Sequence, residues 1–75
     1  MKISNVLKKL QETKILPKSS ITDSDKANTA SLIYEFAANI SQQAEYEFNL
    51  SQEDGDLIYN SLVTVLNYLN GYPEN

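Results

Sequence analysis

Hydrophobic residues recur along the chain at the three- and four-residue spacing of helices rather than at the two-residue spacing of strands. In the first segment they fall on one helical face, which consists of Ile3, Val6, Leu7 and Leu10. Pro17 cannot continue a helix, because its ring removes a backbone donor and restricts the residue before it. The pattern therefore predicts helix 1 at about residues 2–14.

The longest helical pattern runs from about residue 24 to residue 48 and contains no glycine or proline. Alanines recur there every seven residues with isoleucines between them, as in the seam between two packed helices. The seam comprises Ala30, Ile33, Ala37, Ile40 and Ala44, widened by Leu32, Phe36 and Phe48. We expect this face to be buried, because small residues let a neighbouring helix approach closely. Ser20 or Thr22 is the expected N-cap, since an aspartate follows each by three residues.

A third helix is predicted at about residues 52–70. Ser51 is a favoured N-cap, and acidic residues in the first turn suit the positive end of the helix dipole. Its expected apolar face comprises Ile58, Leu62, Val65, Leu66 and Leu69. Gly71 and Pro73 predict the end of the helix, because glycine adopts the left-handed capping conformation and proline prevents continuation.

Three helical patterns and no strand pattern predict a single all-α domain of 75 residues. The short connection between helices 2 and 3 predicts an antiparallel hairpin, with the shorter helix 1 laid across it. A core of this size rarely supplies more than about 3–5 kcal/mol. The chain has no Cys for a disulfide and no His for a zinc site. Dimerisation into a larger bundle would bury more apolar surface and so add stability.

Charge divides the chain into a basic head and an acidic body. Residues 1–18 hold five lysines and one acid, a net charge of +4, whereas residues 19–75 hold one lysine and nine acids, a net charge of -8. The sequence has no transmembrane stretch and no apolar signal segment, so we expect a cytoplasmic protein, bacterial or phage in origin, without a membrane partner. Weak nucleic-acid binding through helix 1 is an alternative, although arginine is absent and the overall charge is -4.

The residue types needed for catalysis are missing, so we expect no enzyme activity and no catalytic, cofactor or metal site. No His can serve as a base, and no glycine-rich loop can hold a phosphate. The segment Asp23-Ser24-Asp25 shares two residues with the prosthetic-group motif of acyl carrier proteins, but Asp25 stands where that motif has leucine.

Five tyrosines favour a binding function, because tyrosine is enriched where proteins meet. We expect a small module that binds and occludes or regulates a protein partner with a basic surface. Small helical immunity proteins, which are similar in being acidic, helical and Cys-free, phage inhibitors and adaptors act in this way. The predicted partner-binding residues are Tyr34, Glu35, Glu45, Tyr46, Glu47, Glu53, Asp54 and Tyr59. The alternative is a structural homodimer joined through the alanine seam and the tyrosines.

Overall fold

The computed structural model describes residues 1–18 and 24–72, and these residues are almost entirely helical or in short connections. The helices in chain order are α1 (Ile3–Thr13), α2 (Ser24–Ser41), a short 3-10 helix (Ala44–Tyr46) and α3 (Gln52–Leu69). Within the described residues, the nearest approach to a β-structure is one antiparallel bridge between Lys2 and Asn49. The predicted all-α arrangement of three helices is confirmed.

The hydrophobic core is organised around α1. Among the described residues, four of the seven buried apolar side chains belong to this helix, and they are the same four that its sequence pattern places on one face. α1 packs against both α2 and α3, whereas α2 and α3 share a smaller contact. The buried apolar residues are Ile3, Val6, Leu7 and Leu10 of α1, Ala30 and Ala37 of α2, and Leu66 of α3. The core centre is therefore α1 itself, rather than a hairpin of helices 2 and 3 that helix 1 covers.

The alanine seam of α2 is buried inside the chain over its first half only. Ala30 and Ala37 belong to the same buried cluster as the α1 residues, and their small side chains let α1 lie close to α2. The other flank of α2 is exposed, including Leu32, Phe36 and Ile40. The expectation that these flanking residues are buried is wrong, because none of the described residues covers this side of α2.

Helix 2 does not continue to residue 48 as the sequence predicts. α2 ends at Ser41. Its last turn tightens, so that the Gln43 N–H donates to the Ile40 carbonyl three residues earlier, at 3.1 Å. Ala44, the last position of the predicted seam, lies in the 3-10 helix and is exposed.

The chain leaves the helical path after Ser41 because the following segment pairs with the N-terminus. The Ile3 N–H donates to the Phe48 carbonyl at 3.0 Å, and the Leu50 N–H donates to the Met1 carbonyl at 2.6 Å. The first of these bonds satisfies a first-turn donor of α1 that has no partner within its own helix. Both bonds join residues more than forty positions apart, and hydrophobic periodicity carries no information about such pairing.

The ends of α3 follow the predicted capping chemistry. The Asp54 N–H donates to the Ser51 side-chain oxygen at 3.1 Å, which confirms Ser51 as the N-cap. Gly71 has a φ of 91°, and the Tyr72 N–H donates to the Asn67 carbonyl at 2.9 Å. This is the hydrogen bond of a Schellman cap. Helices 1 and 3 therefore begin and end within one residue of their predicted bounds.

One residue of the predicted inner face of α3 lies outside. Val65 is exposed, and Val63 packs against the core instead. The expected N-caps Ser20 and Thr22, and Pro73 after α3, lie outside the described residues.

Candidate protein-binding surface

Residues 44–54, which we call the corner, connect α2 to α3 and carry four of the predicted acidic residues. Main-chain bonds to Met1 and Ile3 hold this segment, and the N-terminal ammonium group adds a bond to the Leu50 carbonyl at 2.8 Å. Glu45, Glu53 and Asp54 are exposed on it. The corner is therefore an acidic surface on a backbone that α1 helps to fix.

Glu47 has a role within the chain, at the start of α1. Its Oε1 atom accepts a hydrogen bond from the Ser4 N–H at 3.3 Å. Hydrogen bonding from Ser4 is the main reason that the pKa of Glu47 lies below its ordinary value, and the charges of Lys2 and Lys8 act in the same direction against a desolvation effect that raises it. The carboxylate is thus held as an anion beside the positive end of a helix.

Two aromatic side chains project from the corner. Tyr46 is 49% exposed and Phe48 is 53% exposed. The Phe48 carbonyl accepts the bond from Ile3, and the Tyr46 N–H donates to the Gln43 carbonyl at 3.1 Å. The sequence pattern favours Tyr46 as a binding residue but predicts Phe48 on the buried seam, because that pattern continues helix 2 past its actual end at Ser41. The structure therefore adds Phe48 to the candidate surface.

Tyr34 lies on a different part of the surface and is partly buried. Its hydroxyl accepts a hydrogen bond from the Ile15 N–H at 3.0 Å. The buried side chain of Asn70 donates to the Ile15 carbonyl at 3.3 Å. Tyr34 and Asn70 thus attach the segment after α1 to both α2 and α3.

A groove of about 500 Å³ lies beside Tyr34 and is mostly apolar. Its apolar lining includes Ile15, Leu16, Pro17, Ala30 and Ala38. Lys14 and Glu35 also line it, one of each charge. The described contacts join neither Tyr34 nor Glu35 to the corner, so these two predicted binding residues form a second location.

Tyr59 connects α3 to α1. Its hydroxyl lies 2.7 Å from the Thr13 side-chain oxygen, and the Lys9 ammonium lies 4.3 Å from the centre of its ring. Cation–π contacts of this kind are worth about 0.5–1 kcal/mol at exposed sites. The eight predicted binding residues are therefore divided among the corner, the groove and the α1–α3 contact, rather than gathered into one site.

The structure also shows an exposed row on α3 that the sequence interpretation missed. Leu57, Val65 and Tyr68 are each about half exposed or more. Leu57 and Tyr68 lie on the side of the helix roughly opposite Leu66, and Val65 lies about 100° from Leu66. Their spacing along the helix, with Ser61 between Leu57 and Val65, repeats at three to four residues. This spacing is visible in the sequence, but the adjacent apolar pattern through Leu62 and Leu66 concealed it.

Within residues 1–18 and 24–72, no three side chains of the usual metal-binding types come together as a ligand set. The helices in these two ranges also lack the combined length and apolar character that a membrane crossing requires. The chain matches no protein-family model, no curated protein and no solved structure. What the protein does must therefore be inferred from the chemistry of its own surface.

Proposed function

We propose that the protein is a non-enzymatic binding module that docks its corner on a basic surface of a protein partner. The observation that carries this proposal is the pair of half-exposed aromatic residues, Tyr46 and Phe48, on an acidic segment whose backbone is bonded to α1. Aromatic residues dominate the energetics of protein interfaces, because each ring buries a large area with few rotatable bonds.

The two kinds of side chain on the corner have different roles. Glu45, Glu53 and Asp54 attract a basic surface and raise the rate of encounter. Tyr46 and Phe48 then become buried in the partner, where a central aromatic contact typically contributes about 2 kcal/mol or more. Affinity depends mainly on the rings, and the salt dependence of association depends mainly on the carboxylates.

The fixed backbone of the corner favours tight binding by a small module. The bonds from Ile3 to Phe48 and from Leu50 to Met1 already order the segment before any partner arrives. Less conformational entropy is then lost on binding. The protein acts by covering the partner's surface, which blocks or regulates whatever that surface contacts.

Capture from a native lysate tests the proposal when matched charge variants are compared. The double variant Glu45→Lys and Glu53→Lys reverses two charges on the corner. The control, Glu12→Lys and Glu35→Lys, makes the same change in net charge on α1 and beside the groove. We expect the wild type and the control to capture one partner at equal stoichiometry, and the corner variant to lose it.

Salt and aromatic substitution separate the two roles of the corner. Capture by the wild type should weaken between about 50 and 300 mM salt, because exposed charges are then screened. Tyr46→Ala with Phe48→Ala should abolish capture at all salt concentrations. Undiminished capture by both corner variants would refute the proposal, and loss in the control alone would move the site to the groove beside Tyr34.

A further inference from the structure

The exposed row on α3 has a spacing that is symmetric about its centre. Leu57 is 65% exposed, Val65 is 45% exposed and Tyr68 is 51% exposed. Together with the exposed Asp54 and Ser61, they form one face at successive steps of three, four, four and three residues. Ser61 is the midpoint between Leu57 and Val65, and it is also the midpoint between Asp54 and Tyr68.

This symmetry means that the face is complementary to a copy of itself in the antiparallel direction. With Ser61 of two copies at the crossing point, Leu57 of each copy lies opposite Val65 of the other, and Tyr68 lies opposite Asp54. Ser61 is small, which allows two helices to approach closely where they cross. A two-fold axis pairs one patch with itself in this way in most protein dimers.

The positions of Lys26 and Asp54 favour the same antiparallel arrangement. The Lys26 ammonium lies 4.4 Å from the centre of the Tyr68 ring and 3.0 Å from its hydroxyl oxygen. A second copy in the antiparallel direction therefore brings its Asp54 toward both the Tyr68 hydroxyl and the Lys26 cation. The same contact is formed twice, once at each end of the row.

The molecule is thin, and the outer side of α3 is at its surface. The molecule measures 38 × 25 × 16 Å, so its thinnest direction holds about two layers of helices, whose axes lie roughly 8–10 Å apart.

We propose that two copies of this chain form an antiparallel dimer through the outer face of α3, with Ser61 on the two-fold axis. The dimer goes beyond the proposed partner binding and does not depend on it. Asp54 is the one corner residue in the contact; the corner's two aromatic rings and the carboxylates of Glu45 and Glu53 take no part, so each dimer still carries two corners for partner binding.

Sedimentation equilibrium at about 50 µM tests the dimer directly, because its population depends on concentration. The wild type should have twice the mass of 8.4 kDa. Val65→Glu places a carboxylate opposite Leu57 and one turn from Asp54 of the second copy, so this variant should be a monomer. Leu16→Glu is the matched control at another exposed apolar position, and it should remain dimeric.

Crosslinking tests the position of the two-fold axis independently of how stable the dimer is. The chain has no natural Cys, so Ser61→Cys introduces a single thiol. A mild oxidant should convert most of this variant to a disulfide-linked dimer, because the two Cα atoms approach within disulfide reach at the crossing point. Asn60→Cys, about 100° away around the helix, should form little disulfide-linked dimer.

These results separate the possible outcomes. A monomeric wild type at about 50 µM overturns the proposal. A dimer that survives Val65→Glu and gives equal crosslinking at positions 60 and 61 also overturns it, because the copies then meet through another face. Loss of the dimer in Val65→Glu together with unchanged partner capture would leave the corner proposal standing, whereas loss of capture in the corner variants alone would leave the dimer standing.

Discussion

Truncating Leu10 should remove a large part of the stability of this small fold. Leu10 is fully enclosed at the centre of the core, between the helices that α1 joins. Leu10→Ala removes about three buried methylene equivalents, each worth about 0.8 kcal/mol, and leaves a cavity that brings the usual cost to about 2.7–5 kcal/mol. Because a core of this size rarely supplies more than about 3–5 kcal/mol, this loss is a large fraction of the total unfolding free energy.

Urea unfolding followed by far-UV circular dichroism measures this effect at a fixed protein concentration. We expect Leu10→Ala to lower the unfolding free energy by at least about 2.7 kcal/mol, which corresponds to a fall in Tm of more than about 10 °C for a domain of this size. Leu16→Ala is the control, because Leu16 is 71% exposed and such surface changes usually cost less than about 0.5 kcal/mol. Equal losses in the two variants would refute the assignment of α1 as the core centre.

Three further changes test individual contacts. Because the pKa of folded Glu47 is lowered, its stabilising effect is present above its ordinary value of 4.5 and is lost as the pH falls through the folded value. Glu47→Gln should therefore flatten the acid decline in stability, and parallel pH curves would contradict this. Ser51→Ala should cost about 1 kcal/mol through the lost N-cap in a urea titration, and an unchanged midpoint would exclude that cap. Tyr34→Phe leaves the Ile15 N–H without its acceptor, so it should cost about 1–3 kcal/mol and speed exchange of that amide, whereas Tyr46→Phe should change neither.

Local chemistry explains why the bounds of α1 and α3 could be predicted. Ser51 and Gly71 act through contacts within a few residues, so their capping roles follow from sequence alone. Pro17 also acts locally, because a proline prevents a helix from continuing. α1 ends at Thr13, Lys14 adopts the left-handed conformation, and Pro17 follows three residues later. The buried face of α1 could also be predicted from the sequence, because its apolar residues fit a single helical face.

The end of α2 and the location of the binding residues could not be predicted in the same way. Glu47 and Phe48 continue the helical spacing of α2, yet their bonds to Ser4 and Ile3 require contact across more than forty residues. Val65 fits the inner pattern of α3 as well as Val63 does, and only the position of α1 decides between them. The position of Tyr34 off the main apolar stripe of helix 2 favours a binding residue, but it does not show that the Tyr34 hydroxyl is bonded to Ile15.

Hydrogen exchange of the protein with and without its captured partner tests the central claim most directly. Docking of the corner predicts slower exchange of the amides in residues 44–54 when the partner is bound, with the amides beside the groove, at residues 14–16, unchanged. Slower exchange confined to residues 14–16 or to the exposed side of α1, with residues 44–54 unaffected, would contradict the account.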